Sequence, residues 1–480
     1  MFVGRNEILG KLDALWQKRT PSLVTVRGRR RIGKSTLVAE FAARSGAHFI
    51  SIDGQAPAER VNNKSQLLSF MQQLSLQTGV PAKRPANWLQ AFTRLAESLP
   101  SSGRTVVLLD EISWMGGYDA TFAGTLKIVW DKVLKKRPDL IVVLCGSVSS
   151  WIARNILNGT GFVGRDSLDL VVEELPLPLC RAFWGEAAGR TPVGDMLDFL
   201  SVTGGVPKYL EELNPALSAD ENIRRLCFSR DGILFRDFRQ MFGQIFGKKA
   251  QEREAILKAV SHGSKSIAEI AETLGIDRNG HLGGHLDELA LAGFVARDIA
   301  INPRTGQPAR TVRYRLKDNY SRFWLHYVEP FAREIEDGLF KYDSLDSLKG
   351  WDSIKGLQFE NLVVSNYRYL LPALGIAGAS LVSAAPYRRN ATVAVPGLQI
   401  DLLLQTKTTA YVVEIKRRRE IGSEVAGEIK SKMAAAGFKS RIAVRSDLVY
   451  EGRLAPSVIS GHLVDFAIPA ASLFDAPAIV

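Results

Sequence analysis

The chain has 480 residues, which is too long for one hydrophobic core and predicts about three domains. Its 46% hydrophobic content is ordinary for a globular protein, and no apolar run approaches the roughly 20 residues that a membrane-spanning helix needs. The net charge of +12 favours a polyanionic partner, with nucleic acid, and DNA in particular, first and a membrane surface second.

The cysteines indicate the compartment. There are three in the sequence, they lie far apart, and no histidine stands at ligand spacing from them. This pattern argues against a disulfide framework or a zinc site and fits a reducing environment. Met1 is followed directly by Phe-Val-Gly-Arg, which leaves no room for a secretory leader. We therefore expect a cytoplasmic protein without a transmembrane segment.

Residues 28–35 read Gly-Arg-Arg-Arg-Ile-Gly-Lys-Ser, which is a complete phosphate-binding loop. A β-branched run at 23–26 predicts a buried strand before the loop, and helical spacing follows it at 36–41. The glycines let backbone amides face a phosphate, Lys34 reaches the β- and γ-phosphates, and the Ser35 hydroxyl holds Mg²⁺. The sequence therefore predicts an ATP site formed by Gly28, Arg29, Arg30, Arg31, Ile32, Gly33, Lys34, Ser35 and Thr36.

Two further buried-strand patterns end in polar residues. The run 105–109 leads into Asp110 and Glu111, and the run 140–144 leads toward Ser147. We predict that Asp110 holds Mg²⁺, that Glu111 orients the attacking water, and that Ser147 senses the γ-phosphate. Strands that alternate with helices predict a parallel sheet whose ligands bind at the carboxyl ends of the strands.

The region 250–318 has the pattern of a small helical domain with a hairpin. Ser266, with Glu269 three residues later, begins its second helix, a third helix is predicted over 281–291, and a basic hairpin over 297–316. These elements predict a winged helix-turn-helix, a type of domain that also serves as a spacer between other domains. Its candidate phosphate and groove contacts are Arg304, Arg310, Arg313, Arg315, Arg278, Asn279, His281 and His285.

A new unit is predicted from residue 350. Its first helix carries Glu360, and a strand pair then carries Asp401 and, on the second strand, Glu414 and Lys416. Because strand side chains alternate, Glu414 and Lys416 share a face that Asp401 can join. Asp401 and Glu414, with Glu360, are predicted to bind Mg²⁺ or Mn²⁺. Lys416 is predicted to orient water or to stabilise the transition state of phosphodiester hydrolysis.

Simpler interpretations of this unit stay open. A lone Glu-x-Lys on a strand also occurs on solvated strand faces. The run Arg417, Arg418 and Arg419 suits a phosphate backbone, but charge runs also form ordinary solvated surfaces. No residue type that the hydrolysis requires is missing, so the sequence favours a catalytically competent site.

The opening Phe-x-Gly-Arg-x-Glu at 2–7 and the segment Gly-Gly-Val-Pro-Lys-Tyr-Leu at 204–210 resemble signatures of the AAA-related ATPases of bacteria and archaea. The resemblance implies that the opening segment packs beside the nucleotide base. It also implies a γ-phosphate contact by Arg165, made within the chain or from a neighbouring subunit, which leaves the oligomeric state open. A simple ion pair between Arg165 and a carboxylate such as Asp166 is the alternative.

The carboxyl-terminal unit resembles the restriction-endonuclease-like Asp…Glu-x-Lys nucleases, and the same ATPase family carries C-terminal domains of that type. The two resemblances cover most of the chain and together imply an α/β protein. We expect a P-loop parallel-sheet ATPase core at 1–184, a helical lid at 185–249, a winged helix-turn-helix at 250–318, a helical connector at 319–349 and an α/β restriction-endonuclease-like nuclease domain at 350–480.

Three functional hypotheses follow. The leading one is an ATP-binding and ATP-hydrolysing protein coupled to metal-dependent DNA cleavage or processing, in defence or mobile-element biology. The alternative is an ATP-driven regulatory switch whose C-terminal domain is an inert scaffold. A third hypothesis is a membrane-peripheral or protein-remodelling ATPase that uses its basic surface to bind anionic lipid or an acidic partner. All three share the ATP site.

Overall fold

The amino-terminal part is built on a five-stranded sheet in the order β2-β3-β4-β1-β5, in which all neighbours are parallel. The computed structural model describes residues 2–147, 149–159, 161–277, 280–393 and 395–475. The predicted parallel sheet is confirmed. Its strands are β1 (Ser22–Arg27), β2 (His48–Asp53), β3 (Thr105–Asp110), β4 (Leu140–Gly146) and β5 (Asp166–Val171).

Helices cover both faces of this sheet because its central strands are apolar throughout. Val106 and Leu108 of β3 belong to the core on the side of the first two helices, whereas Val107 and Leu109 belong to the core on the opposite side. The helices are α1 (Asn6–Gln17), α2 (Lys34–Arg44), α3 (Asn63–Thr78), α4 (Trp88–Ser98), α5 (Ile112–Gly116), α6 (Phe122–Lys132) and α7 (Ser149–Ile152).

The region predicted as a lid is helical, and a glycine pair ties it to the sheet domain. The backbone of Gly205 accepts a hydrogen bond from Leu175 (2.7 Å) and donates one to the Glu174 carboxylate (2.9 Å). A Cβ on Gly205 would lie 2.1 Å from the Leu175 carbonyl oxygen, so this approach requires glycine. The helices are α8 (Leu177–Cys180), α9 (Val193–Thr203), α10 (Pro207–Leu210), α11 (Ala219–Cys227) and α12 (Ile233–Phe246).

The helices and hairpin expected over 250–318 are present. Ser266 and Glu269 form the reciprocal capping box predicted at the start of the second helix. Arg278 and Asn279 lie outside the described residues, and the identification as a winged helix-turn-helix stays a prediction. The elements are α13 (Ala250–Ala259), β6 (Lys265–Ser266), α14 (Ile267–Leu274), α15 (Gly280–Leu291), β7 (Val295–Asp298) and β8 (Arg313–Leu316), with the strands in the antiparallel order β6-β8-β7.

The carboxyl-terminal part is a mixed five-stranded sheet in the order β13-β12-β11-β10-β9, in which β9, β10 and β11 are antiparallel neighbours and β11, β12 and β13 are parallel neighbours. The strands are β9 (Leu381–Arg389), β10 (Leu398–Thr406), β11 (Thr409–Ile421), β12 (Ala443–Leu454) and β13 (Phe466–Pro469). The helices before and between them are α16 (Asn319–Phe323), α17 (Ala332–Glu336), α18 (Trp351–Ser365), α19 (Glu424–Ala436), α20 (Pro456–Ser460) and α21 (Ser472–Asp475).

The connector packs between the other parts of the chain. Phe323 and Trp324 are buried, the Trp324 ring stacks on Phe238 of α12 (4.4 Å between centroids), and Phe323 meets Trp351 of α18 edge to face. One apolar cluster therefore runs from the parallel sheet through the lid and connector into the carboxyl-terminal sheet. In the part of the chain that the structure describes, no helix is both long and apolar enough to cross a membrane.

Candidate functional site

The phosphate-binding loop joins β1 to α2 at the carboxyl end of the parallel sheet. Gly28 and Gly33 have φ angles of 149° and 84°, in the range that favours glycine. A Cβ on Gly28 would also lie 2.2 Å from the Val172 carbonyl oxygen, so a larger residue cannot occupy that position without moving the backbone. The loop leads directly into the amino terminus of α2, where the helix dipole favours a phosphate group.

Lys34 is held inside the loop. Its Nζ donates to the carbonyl oxygens of Gly28 (3.1 Å) and Arg29 (3.0 Å) and to the Ser147 hydroxyl (3.2 Å). The side chain is almost fully buried, which keeps the ammonium near the point where the loop turns. Lys34 and Ser147 are far apart in sequence but come together because β1 and β4 are adjacent strands.

The polar residues after β3 and β4 also meet here. The Ser35 hydroxyl donates to Asp110 Oδ2, so a hydroxyl and a carboxylate that can hold Mg²⁺ are in direct contact. Glu111 accepts two hydrogen bonds from Ser147, one from its Oγ (2.6 Å) and one from its backbone N–H (3.1 Å). Asp53, at the end of β2 opposite Asp110, was missed by sequence reasoning; burial and the neighbouring Asp110 raise its pKa.

These groups line a cavity of about 420 Å³. The phosphate-binding loop forms its charged side, and the apolar side chains of Phe2, Phe183 and Ile233 contribute from three distant segments. Lys208 also lines the cavity; its Nζ lies 3.2 Å from Glu212. No role was predicted for Lys208 from the sequence. Its position in the Gly-Gly-Val-Pro-Lys segment was the feature that could have indicated one. A cavity with a cationic end and an aromatic end matches the chemistry of a nucleoside triphosphate.

The side chains of the three arginines in the phosphate-binding loop contact three different partners. The Arg30 guanidinium lies over the Trp114 ring and lines the cavity. Arg31 contacts the cavity but pairs with the buried Asp237 of α12. Arg29 turns into the interior, where its guanidinium lies 2.7 Å from the Asp318 carboxylate. The sequence grouped all three as nucleotide-binding residues, whereas the structure places the Arg29 side chain at a contact between domains, because a buried carboxylate faces it there.

Arg165 lies beside α6. Its guanidinium donates to both oxygens of Asp131 (3.0 Å each for the closest contacts). The hydrogen bond from Arg165 is the first cause of a lowered Asp131 pKa. The carboxylate partner is therefore Asp131 and not Asp166, and Arg165 lies outside the residues that line the nucleotide cavity. Its predicted γ-phosphate contact stays a prediction.

A second cluster of charges lies in a cleft of about 1110 Å³ in the carboxyl-terminal part. Glu414 and Lys416 share a strand face as predicted, with Lys416 Nζ 2.8 Å from Glu414 Oε1. Asp401 joins them from β10, and its Oδ2 accepts a hydrogen bond from the Ile415 backbone N–H (3.0 Å). Lys432 of α19, which sequence reasoning missed, pairs with Glu414 as well. The alternation of side chains along a strand could not predict the position of Lys432, because this residue lies on a helix.

The electrostatics of this cluster fit a cation. Burial, and then the neighbouring Glu414, raise the pKa of Asp401 to about 6; burial, and then Asp401, raise the pKa of Glu360 to about 8. Burial and neighbouring carboxylates oppose the ionisation of these carboxyl groups. A positive charge placed beside them therefore stabilises their ionised form. Among the described residues, however, no group of three or more His, Cys, Asp or Glu side chains is arranged to hold a metal ion. The predicted ligand set of Glu360, Asp401 and Glu414 is therefore not assembled as one metal-holding group among the described residues.

The structure reassigns part of the predicted basic surface. Arg417 is buried and pairs with Asp198 of α9 (2.9 Å) and Glu451 of β12 (3.0 Å), so it joins the lid to the carboxyl-terminal sheet. Arg418 and Arg419 are exposed, as a phosphate-binding role requires. The interpretation of Arg417 as part of a DNA-facing run is corrected because two carboxylates from different domains enclose its guanidinium.

The structure also changes the role predicted for some of the hairpin arginines. Arg313 pairs with Glu269 (2.8 Å) and Arg315 with Asp298 (3.1 Å), and both are buried. Arg304 packs against the carboxyl end of α19, and Arg310 is exposed. Of the predicted groove residues, His281 is exposed and His285 lies 3.9 Å from Glu252. The ion pairs of Arg313 and Arg315 are therefore internal to the 250–318 region, and both the DNA-contact role and the spacer role of this region stay predictions.

Comparison with known proteins identifies the amino-terminal part. Residues 17–150 match the model of the AAA domain family. The chain therefore contains an AAA-type P-loop ATPase domain with a five-stranded parallel sheet. An uncharacterized protein of Methanocaldococcus jannaschii is 21% identical over 365 residues, which are 75% of this chain and 76% of the relative.

Solved structures overlap with the chain more loosely. The Walker-type ATPase of Pyrococcus abyssi is 17% identical at a TM-score of 0.47 and covers 68% of this chain and 96% of its own. The ORC2 protein of Aeropyrum pernix is 14% identical at a TM-score of 0.42, with 70% and 94% covered. The RuvB Holliday junction branch migration motor of Thermotoga maritima is 13% identical at a TM-score of 0.35. The match covers 64% of this chain and 92% of that protein. At these TM-scores the overlaps carry no functional argument.

Proposed function

We propose that the chain binds and hydrolyses ATP with Mg²⁺ in the cavity at the carboxyl end of the parallel sheet. The convergence of Lys34, Ser35, Asp110, Glu111 and Ser147 on that cavity carries the proposal. Mg²⁺, when bound, neutralises charge on the phosphates and is held by Ser35 and Asp110. Lys34 leaves its carbonyl partners for the β- and γ-phosphates.

Glu111 has the role of orienting the attacking water. Its carboxylate accepts hydrogen bonds from the backbone N–H and the hydroxyl of Ser147. A γ-phosphate near Ser147 competes for the same hydroxyl, which frees a Glu111 oxygen to accept a hydrogen bond from water. Lys208 and Arg30, on the cavity walls, add positive charge where the transferring phosphoryl group becomes more anionic.

We propose further that the carboxyl-terminal cleft cleaves or processes DNA with a divalent metal. Asp401 and Glu414 are the metal ligands, Glu360 lies within electrostatic reach, and Lys416 orients water or stabilises the developing charge. The exposed Arg418 and Arg419 lie beside the cleft and suit a phosphate backbone. A cleft that combines buried carboxylates with cations supports this chemistry more than it supports an apolar ligand.

Contacts between domains support coupling of the two sites. Arg29 of the phosphate-binding loop pairs with Asp318, which caps the amino terminus of α16 through Ser321. From α16, Arg322 donates to Gln358 of α18, two residues before Glu360. A change in loop geometry on nucleotide binding thus has a packed route to α18, the helix that carries Glu360 into the cleft. A two-state element that both sites bias is what such coupling requires.

The second candidate function is an ATP-driven regulatory switch with an inert carboxyl-terminal scaffold. One observation favours it: two lysines pair with the Glu414 carboxylate, so this predicted metal ligand already has cationic partners within the chain. This candidate predicts ATP binding, with or without slow hydrolysis, and no cleavage of nucleic acid.

The deciding experiment is cleavage of linear, circular and single-stranded DNA with Mg²⁺ or Mn²⁺, with and without ATP. Wild type is compared with Glu414→Ala, with Lys34→Ala, and with Glu420→Ala as a control, because Glu420 is an exposed carboxylate on the same strand. Products lost only in Glu414→Ala establish the nuclease, and their response to ATP and to Lys34→Ala measures coupling. If ATP binds and no product depends on Glu414, the nuclease is refuted and the regulatory switch becomes the leading candidate.

A further inference from the structure

A lysine outside the predicted catalytic set lies over the carboxylate pair of the carboxyl-terminal cleft. Lys432 Nζ is 2.5 Å from Glu414 Oε2 and 3.9 Å from Asp401 Oδ1. The lysine comes from α19, which packs on β10 and β11, the strands that carry the two carboxylates. Its side chain is 22% exposed, whereas that of Glu414 is 1% exposed. Lys432 and the two carboxylates thus line the same cleft, and the lysine is the more exposed side chain.

The carboxylate oxygens are divided among different partners. Asp401 Oδ2 accepts from the Ile415 backbone N–H at 3.0 Å, and Glu414 Oε1 faces Lys416 at 2.8 Å. Lys432 faces the other oxygen of each carboxylate, Asp401 Oδ1 and Glu414 Oε2. A divalent cation held by both Asp401 and Glu414 would therefore compete with this ammonium for the carboxylate oxygens.

An ammonium and a divalent metal cannot share this position. Mg²⁺ binds carboxylate oxygens at about 2.0–2.1 Å, so a bridging ion would lie within a few ångströms of the present Nζ position. Like charges at that separation repel strongly where solvent screening is weak. The flexible stem of lysine allows the ammonium to move into the adjoining cleft instead.

We propose that Lys432 is a built-in counter-cation that competes with the divalent metal for Asp401 and Glu414. The metal-free cluster is stabilised by Lys432, and metal binding displaces its ammonium into the cleft. Lys432 therefore sets the metal concentration at which the site fills, and it is a positioning residue for the metal ligands. This inference rests on the proposed metal-dependent function of the cleft.

The test is calorimetric titration of the full-length protein with Mn²⁺, without nucleotide or DNA. Binding lost in Glu414→Ala defines the signal from this site. Lys432→Met and Lys432→Gln, which remove the charge and keep the length, are expected to bind Mn²⁺ at least about tenfold more tightly than wild type, which corresponds to about 1.4 kcal/mol. Lys432→Arg, which keeps the charge, is expected to remain near wild type. Lys430→Met is the matched control, because Lys430 is exposed on the same helix.

Unchanged or weaker Mn²⁺ binding in both neutral variants overturns the proposal, and so does the absence of Glu414-dependent binding in every variant. Two neutral variants are used so that poor folding of one leaves the other as the test. The cleavage assay separates this inference from the proposed function. Tighter Mn²⁺ binding without DNA cleavage supports the counter-cation and refutes the nuclease, whereas Glu414-dependent cleavage with unchanged Mn²⁺ affinity does the opposite.

Discussion

Replacing Arg29 with methionine tests whether this residue of the phosphate-binding loop serves the nucleotide or the contact between domains. Its guanidinium is 4% exposed and lies 2.7 Å from an Asp318 carboxylate that is fully buried. The Tyr209 and Phe294 rings lie 5.6 and 5.8 Å from the guanidinium carbon. Methionine keeps most of the volume and removes the charge, so the packing changes little and the carboxylate loses its partner.

The expected cost follows from that burial. Removing one partner of a buried ion pair costs about 3–5 kcal/mol, because the other charge is left uncompensated in a medium of low polarity. Asp318 keeps its hydrogen bond from the Ser321 backbone N–H (3.2 Å), so we expect the lower half of this range. Removing both charges in Arg29→Met with Asp318→Asn should recover part of the loss, because the fully buried carboxylate is removed. The recovery is incomplete because Glu174, which lies 3.4 Å from the Arg29 guanidinium, still loses its partner.

The assay is urea unfolding followed by tryptophan fluorescence, since Trp324 is buried within the connector. Wild type, the two single variants and the double variant form a thermodynamic cycle, and Arg84→Met, at an exposed position, is the control. ATP affinity is measured on the same proteins and should change far less in Arg29→Met than in Lys34→Ala. The reasoning is refuted if Arg29→Met costs under about 1 kcal/mol, or if it abolishes ATP binding without a loss of stability.

The remaining predictions concern the ATP site and one buried carboxyl. Lys34→Ala should weaken ATP binding about 10- to 100-fold in calorimetry through loss of a charge-assisted contact; unchanged affinity contradicts the site. Glu111→Gln should retain ATP and slow its turnover about 10²–10⁴-fold, and an unaltered rate would assign the water-orienting role to another residue. Burial, and then Asp465, raise the pKa of the fully buried Asp447 to about 8. The folded state therefore holds a proton that the unfolded state releases near pH 4, so stability falls as the pH rises from about 4 to 8, by at most about 6 kcal/mol. Asp447→Asn should flatten that part of the pH dependence of urea unfolding, and a profile identical to wild type would disprove it.

The ATP site was largely predictable because its information is local. The loop 28–35 is a contiguous motif, and Asp110 and Glu111 follow a strand directly. The carboxyl ends of parallel strands lie at one edge of the sheet. The position of Ser147 directly after a strand was therefore enough to predict that it lies near the loop. The capping box at Ser266 was predictable for the same reason, since its two partners are three residues apart.

Strand alternation likewise predicted that Glu414 and Lys416 share a face, which depends only on a period of two residues. The sequence did not reveal that Lys432 lies over the same carboxylates. A helix after a strand can present any of its faces, and the crossing of α19 over the sheet depends on packing of the whole unit. Contacts between elements of this kind have no sequence period of their own.

By itself, the sequence determined the strand–loop–helix unit, the acidic strand ends and the chemistry of each candidate group. Only the tertiary structure decided where the long arginine side chains end. Arg29 reaches Asp318, and Arg417 reaches Asp198 and Glu451, although each arginine lies in a run that reads as phosphate-binding. A guanidinium is stabilised wherever a carboxylate meets it with little solvent screening. The position of that carboxylate is set by how the domains pack, which a local pattern cannot specify.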